Sequence, residues 1–154
     1  MYTNKNILFL CIGNSCRSQM AEGFARRYGS DVMDCSSAGL APAPIVQTMT
    51  RKVMEAKNIN IDEHFPKNLE QVTLSKFDLI INMSGRQFPL RVSIPVRDWK
   101  VEDPIGQSED VYNTVRDQIE NSVMQLILEL RREQKKLDKA ASDRKFYSGV
   151  VRRR

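Results

Sequence analysis

The chain has 154 residues, 41% of them hydrophobic and 28% charged. This composition is typical of one soluble globular domain, and it excludes a fibrous repeat or a wholly disordered chain. Three cysteines, an odd number, do not match the disulfide framework of a small secreted module, so we expect reduced thiols. The net charge of +5 arises in residues 131–154, which carry ten basic and three acidic side chains, and a nucleic-acid-binding body is therefore disfavoured.

The beginning of the chain shows no pattern typical of a targeting segment. Its longest apolar run, residues 7–12, is too short to span a membrane and lacks the basic flank and cleavage site of a signal peptide. We therefore expect a cytoplasmic protein without a membrane partner.

The first predicted elements are a strand, a tight loop and a helix. Residues 6–11 form a continuous apolar run, which is typical of a central parallel strand covered on both faces. Gly13 interrupts this run. Apolar residues then recur at every fourth position and mark one face of a helix that ends at Gly29; they are Met20, Phe24 and Tyr28.

The alternation of strands and helices continues along the chain. Apolar runs predict three further strands, over residues 31–37, 77–83 and 92–96. Pro95 interrupts the last of these and favours a position near a sheet edge. Apolar side chains at helical spacing predict two further helices, one over residues 45–56 and a long one from Val111 to Leu130.

Strands that alternate with helices require a parallel sheet, because each crossover has to pass over a face of the sheet. We therefore predict a three-layer α/β/α fold with a parallel sheet of about four strands and helices on both faces. The predicted catalytic domain covers residues 1–133, and the basic residues 134–154 form a C-terminal extension that is helical or frayed. Ligands of such sheets bind beyond the C-terminal ends of the strands, where Cys11 lies.

The residues after the first strand have the composition of an anion-binding loop. Cys11 and Arg17 stand at the two ends of a five-residue loop between the strand and the helix. Gly13 and Asn14 tolerate the unusual backbone angles that turn N–H groups inward, and the start of the helix adds its own unpaired N–H groups. Arg17 can complete the ring with a bidentate grip on the anion. A phosphate-sized dianion therefore fits this loop.

The same positive field favours the thiolate form of Cys11, which makes this residue the candidate nucleophile. The hydroxyl of Ser18 is placed to steady the thiolate or to help it leave. A structural interpretation, with Cys11 buried in a strand and Arg17 solvated, is weaker, because the loop between them is rich in Gly, Asn and Ser. The single histidine, His64, cannot assemble a metal site, and we predict no metal and no cofactor.

These residues resemble the active-site loop of the low-molecular-weight protein tyrosine phosphatases and the related arsenate reductases. The resemblance continues through residues 19–22, and it extends over residues 5–132 in all. Three later motifs follow in the family's order and spacing: Ser37-Ala-Gly39, residues 77–83 and Asp103-Pro104. The resemblance implies that Cys11 forms a covalent phosphocysteine or thioarsenate adduct.

The resemblance also implies roles for the surrounding residues. The oxyanion is expected to be held by Arg17 and by the other residues of the loop, which are Ile12, Gly13, Asn14, Ser15 and Cys16. Asn14 and Ser37 are expected to support the loop. Asp103 is the expected general acid, which protonates the leaving oxygen and later activates water. From the residues alone, Asp98 and Glu102 are nearby competitors for this role, since an acid before proline is often only a turn former.

Two reactions fit this loop, because arsenate has nearly the shape and charge of phosphate. A phosphatase resolves the adduct with Asp103 and water, whereas a reductase needs a thiol that attacks Cys11. The thioredoxin-coupled reductases carry two further cysteines after the strand that matches residues 77–83, but residues 84–91 contain none. We therefore predict a phosphomonoester hydrolase first, acting on phosphotyrosine or another phosphate-like oxyanion, and an arsenate reductase as the alternative.

The alternative has support of its own. Ile105-Gly106-Gln107 stands where eukaryotic-type phosphatases carry tyrosines, much as in the reductases. Its reductant would be a small thiol such as glutathione or mycothiol, a thioredoxin-type protein, or Cys16 or Cys35 of the chain itself. Cys16 is also a candidate for a disulfide with Cys11 that protects the nucleophile from irreversible oxidation. We expect a monomer.

Overall fold

The computed structural model describes residues 3–151, which form a four-stranded parallel sheet and three α-helices. The strands are β1 (Lys5–Cys11), β2 (Met33–Gly39), β3 (Leu79–Asn82) and β4 (Val96–Asp98). The helices are α1 (Arg17–Tyr28), α2 (Thr48–Glu55) and α3 (Glu109–Val151), and two 3₁₀ turns cover Leu69–Gln71 and Leu74–Lys76. The predicted three-layer α/β fold and its number of strands are confirmed.

The strands lie in the order β2-β1-β3-β4. β1 pairs on both sides, with Cys11 opposite Gly39 of β2 and Leu10 opposite Asn82 of β3. This inner position explains why the first strand is apolar on both faces. Because all pairs are parallel, the loop after Cys11 lies at the same edge of the sheet as the chain after Asn82 and Asp98.

Successive side chains of β1 point to opposite faces of the sheet and enter two separate core clusters. Ile7 and Phe9 pack with apolar side chains of the three α-helices, whereas Leu8 and Leu10 pack with Leu69 and its neighbours. The second face is therefore covered by the two 3₁₀ turns and the chain before β4. Helices were predicted on both faces, and these short turns complete the third layer in their place.

The strand predicted over residues 92–96 is wrong in position, because β4 begins only at Val96. Pro95 has no N–H group to donate to a sheet ladder, so regular pairing starts after it. Its carbonyl still accepts a hydrogen bond of 3.0 Å from the backbone N of Ile80. The predicted edge position is confirmed, since β4 has a neighbour on one side only.

The helix α3 extends well beyond the core. Its apolar side chains enter the core as far as Leu130. Arg131 then anchors the helix, because its guanidinium donates to the two carboxylate oxygens of Asp31 at 2.9 and 3.1 Å and to the carbonyl of Tyr28 at 3.0 Å. Residues 135–149 continue the helix with every side chain exposed. None of the helices within the described residues is long and apolar enough to cross a membrane.

Candidate active site

The loop between β1 and α1 owes its shape to Asn14. This residue is buried and has a φ of +49°, the left-handed conformation that asparagine tolerates. Its side-chain amide donates to Ser18 Oγ at 2.8 Å, and its Oδ1 accepts from the backbone N of Lys67 at 2.8 Å. The unusual backbone angle predicted for this part of the loop is therefore found at Asn14 and not at Gly13.

The loop also packs directly against the end of β2. A Cβ atom on Gly39 would lie 2.6 Å from the carbonyl oxygen of Ile12, so a side chain there would displace the loop. Within the loop, the hydroxyl of Ser15 is buried and has no hydrogen-bond partner among the described residues. The carbonyl of Ser15, in contrast, accepts from Thr50 Oγ1 at 3.0 Å. One buried hydroxyl of the loop thus retains its hydrogen-bonding capacity.

Cys11 is the last residue of β1, and its sulfur lies beside Ser18. The Sγ atom is 2.8 Å from Ser18 Oγ, and Cys11 is only 2% exposed. Because Asn14 already donates to that oxygen, the hydroxyl hydrogen of Ser18 is free to point at the sulfur. A hydroxyl donor in this position stabilises a thiolate. The structure brings the two side chains into the contact that the sequence predicts.

Arg17 is the first residue of α1, and its guanidinium lies across the C-terminal edge of the sheet. Nη1 donates to the carbonyl of Met83 at 2.6 Å and to that of Val101 at 3.2 Å. These two carbonyls follow β3 and β4 respectively, so the arginine links three segments. Arg17 is 5% exposed, which excludes the interpretation as a solvated side chain.

Among the three candidate acids, Asp103 is the one that lies at Arg17. Its Oδ2 is 3.6 Å from Arg17 Nη2, and its side chain is 44% exposed. Asp98 and Glu102 are exposed, and neither forms an ion pair with Arg17 in the described part of the chain. Asp103 therefore combines contact with the arginine and access to solvent.

Ser37, expected to support the loop, contacts α1 instead. Its Oγ donates to Oε2 of Glu22 at 3.2 Å. The Glu22 side chain is 3% exposed, and it also pairs with Arg26 at 3.0 Å and faces His64 Nδ1 at 3.2 Å. A carboxylate this deeply buried requires such partners, since an unpaired buried charge is strongly destabilising.

His64 connects this carboxylate to the loop. Its Nδ1 lies 2.9 Å from Oε1 of Gln19, and Gln19 Nε2 donates to the carbonyl of Asn14 at 3.0 Å. Burial lowers the pKa of His64, although the charge of Glu22 opposes that shift. Ser37 therefore reaches the loop only through this chain of contacts. The sequence pattern does not mark Gln19 or Glu22 as site residues, because their partners Ser37 and His64 are distant in the chain.

The other two cysteines are protonated near neutral pH. Burial raises the pKa of Cys16 to about 12 and that of Cys35 to about 12. Both shifts oppose a role as attacking thiolate, and the protective disulfide between Cys16 and Cys11 stays a prediction. Across residues 3–151, no group of three His, Cys, Asp or Glu side chains is arranged to hold a metal ion.

The site lies in the loop after an inner strand of a parallel α/β sheet, with a buried thiol at one end and an arginine at the other. This arrangement defines the class of cysteine-dependent oxyanion enzymes. The chain belongs to the low molecular weight phosphotyrosine protein phosphatase family, whose model matches residues 6–136. This match confirms the superfamily that the sequence motifs indicate.

Similar curated proteins are arsenate reductases. The chain is 34% identical over 134 residues to the glutaredoxin arsenate reductase of Synechocystis sp., a similarity that covers 82% of this chain and 98% of that protein. It is 37% identical over 125 residues to the arsenate reductase of Halalkalibacterium halodurans, covering 75% and 89% of the two chains.

Solved structures with the same fold include reductases and phosphatases. An arsenate reductase in the phosphate binding state superposes with a TM-score of 0.76 at 35% identity, covering 82% of this chain and 98% of that chain. The YwlE arginine phosphatase from Geobacillus stearothermophilus superposes with the same TM-score of 0.76 at 24% identity, covering 86% and 96%. The second likeness is one of fold alone.

Proposed function

We propose that this protein is an arsenate reductase in which Cys11 attacks the arsenic atom and a thiol from outside the chain supplies the electrons. The observation that carries the proposal is the contact of 2.8 Å between Cys11 Sγ and Ser18 Oγ, in a loop that ends at Arg17. This arrangement provides a stabilised nucleophile and a cation for a tetrahedral oxyanion. Three free cysteines suit a reducing compartment, and we place the protein in the cytoplasm.

Arsenate thus replaces the phosphate ester, which the sequence alone favours, as the leading substrate. It is supported by relatives at 34% and 37% identity that are named arsenate reductases and are covered over most of their length. It is also supported by residues 105–107, which carry no tyrosine to wall a phosphotyrosine pocket.

The external thiol follows from the cysteines of the chain. Residues 84–91 contain no cysteine, and burial raises the pKa of both Cys16 and Cys35 to about 12. None of these positions offers a second thiolate near neutral pH. A reductase built on this chain therefore depends on a small thiol or a thioredoxin-type protein.

Phosphomonoester hydrolysis is the second candidate, and the position of Asp103 favours it. Its carboxylate lies 3.6 Å from Arg17 Nη2 and is partly exposed, so it can protonate a leaving oxygen and then activate water. In this reaction the Cys11 thiolate attacks phosphorus, the ester oxygen leaves with the proton of Asp103, and water releases phosphate from the phosphocysteine. No reductant is needed.

The deciding experiment assays one preparation for both reactions. Arsenite formation is measured with glutathione, with mycothiol and with a thioredoxin system, and phosphate release is measured from an aryl phosphate. We expect arsenite with at least one donor and complete loss of activity in Cys11→Ser. Aryl phosphate cleavage without arsenite formation would show that the protein is a phosphatase and not an arsenate reductase. Turnover of either substrate by Cys11→Ser would refute both.

A further inference from the structure

A cavity of about 620 Å³ lies beyond the C-terminal ends of β3 and β4. Val101 lines this cavity, and its carbonyl oxygen accepts a hydrogen bond of 3.2 Å from Arg17 Nη1. Glu102, another lining residue, immediately precedes Asp103. A molecule bound in this cavity is therefore next to the Arg17 side of the oxyanion site.

The cavity walls are held in place by buried contacts. Asn82 is 2% exposed, and its Nδ2 donates to the carbonyl of Arg86 at 2.7 Å, while its Oδ1 accepts from Ser84 Oγ at 2.6 Å. The wall at Trp99 is fixed because the backbone N of Trp99 donates to the carbonyl of Asn82 at 2.9 Å, and the centroid of its ring lies 6.1 Å from that of Phe9. The chain's own hydrogen bonds and packing thus fix the cavity walls, as is usual for small-molecule sites.

Side chains of both charges surround this cavity without pairing with one another. Arg86 and Lys100 supply two cations, and Asp98 and Glu102 supply two carboxylates. Within residues 3–151, the charged groups of Arg86, Lys100 and Asp98 have no hydrogen-bond or ion-pair partner. Unpaired charges of both signs at one cavity are complementary to a ligand that carries carboxylate and ammonium groups.

We propose that this cavity binds the external reductant, a peptide thiol with the size and charges of glutathione. The inference rests on the arsenate-reductase form of the proposed function. Residues 84–91, which follow β3, contain no cysteine, and burial keeps Cys16 and Cys35 protonated near neutral pH, so the reducing thiol has to come from outside the chain. Part of this cysteine-free segment, at Arg86, forms a wall of the cavity. The volume lies within the range of about 300–1,000 Å³ that small-molecule sites occupy.

When Cys11 attacks arsenate, a sulfur–arsenic bond forms and one arsenic–oxygen bond breaks, with the oxygen leaving as water; two peptide thiols then complete the reduction. The thiolate of the bound peptide attacks Cys11 Sγ in the arsenate adduct, so a sulfur–sulfur bond forms and the sulfur–arsenic bond breaks. The electron pair of the broken bond remains on arsenic, which is reduced from As(V) to As(III) and leaves as arsenite. Cys11 is then held in a mixed disulfide. A second peptide thiolate attacks the peptide sulfur, which yields a peptide disulfide and restores the Cys11 thiolate.

A binding measurement tests the site without relying on turnover. S-methylglutathione carries the charges of glutathione but cannot form a disulfide, and its affinity for the full chain is measured by isothermal titration calorimetry. We expect Arg86→Gln and Lys100→Gln each to weaken binding about fivefold, which is the upper range for one exposed charge pair. Arg91→Gln is the matched control, because Arg91 is exposed, carries the same charge and does not line the cavity. Its affinity should equal that of the wild type.

Measuring arsenite formation at varied glutathione concentration distinguishes a failure of the cavity proposal from a failure of the reductase proposal. Weaker ligand binding in Arg86→Gln and Lys100→Gln, with an unchanged Arg91→Gln, supports the site even if no arsenite is formed. In that case the reductase proposal fails and the cavity remains a peptide-binding site. Arsenite formation with the same KM for glutathione in all three variants supports the function and overturns the site. Absence of saturable binding to the wild type also overturns it.

Discussion

The hydroxyl of Ser18 offers the most direct test of the site chemistry, and Ser18→Ala is the change that removes it. In the structure, Ser18 Oγ accepts from Asn14 Nδ2 at 2.8 Å and lies 2.8 Å from Cys11 Sγ. Alanine removes both contacts at a fully buried position, while the backbone of α1 retains its hydrogen bonds. The variant should therefore fold and should lose part of the stabilisation of the thiolate.

The magnitude follows from the two contacts. A hydrogen bond to a charged group contributes about 1.5–3 kcal/mol, so kcat/KM should fall about 10- to 100-fold. The buried amide of Asn14 loses an acceptor, which should lower the free energy of unfolding by about 1–2 kcal/mol. For a chain of this length, such a loss corresponds to a decrease in Tm of about 2–8 °C.

The assay is kcat/KM for whichever of arsenate and aryl phosphate the wild type turns over, together with thermal unfolding. Ile127→Val is the control, because Ile127 is fully buried on α3, packs beside Gly29 and does not touch the loop, and this change costs about 0.5–1.5 kcal/mol. It should lose comparable stability and retain kcat/KM. A kcat/KM for Ser18→Ala within about threefold of the wild type would refute the reasoning, because the thiolate would then not depend on this hydroxyl.

Four further predictions concern the candidate general acid, a buried thiol, a surface ion pair and the helical extension. Asp103→Asn should slow aryl phosphate hydrolysis about 100- to 10,000-fold, and an unchanged kcat would assign the proton to another group. Cys16, whose pKa burial raises to about 12, should resist iodoacetamide in the native protein, which intact-mass analysis checks. Hydrogen bonds from Arg97 lower the pKa of Glu129, so the pair stabilises the fold at neutral pH and this contribution is lost as the pH falls through that lowered pKa. Glu129→Gln should therefore cost less than about 1 kcal/mol at neutral pH and nothing in strong acid, which urea titrations at both pH values measure. Deleting residues 136–154 should leave kcat and Tm unchanged, since the described side chains beyond residue 134 are exposed; a large loss of turnover would place the extension in the catalytic domain.

Local patterns were sufficient to predict most of the fold. The inner strand β1 is apolar on both faces, and α1 shows its apolar residues at every fourth position, so their side-chain spacing alone identifies them. The position of β4 was predicted wrongly because Pro95 shifts the start of pairing to Val96. This shift depends on the register with β3, which the sequence does not show. The two 3₁₀ turns of the second face were also missed, since three residues are too few to show a period.

The candidate site, like the fold, could be predicted only in part. The loop chemistry could be predicted because its residues lie within eight consecutive positions, so the chain itself holds their side chains together. These residues are Cys11, Asn14, Arg17 and Ser18. The cluster around Glu22 could not be predicted from the sequence, because its members come from separate segments that only folding brings together.

The sequence by itself was enough to predict the candidate nucleophile, the arginine of the loop and the alternation of strands and helices, because each depends on neighbouring residues. Only the tertiary structure decided which acid lies at Arg17 and which atoms hold its guanidinium. The carbonyls of Met83 and Val101 are main-chain groups that every residue type carries, so no sequence pattern marks them. The cavity beside them also has no sequence signature, because it is enclosed by the ends of two strands that are distant in the chain and adjacent in the sheet.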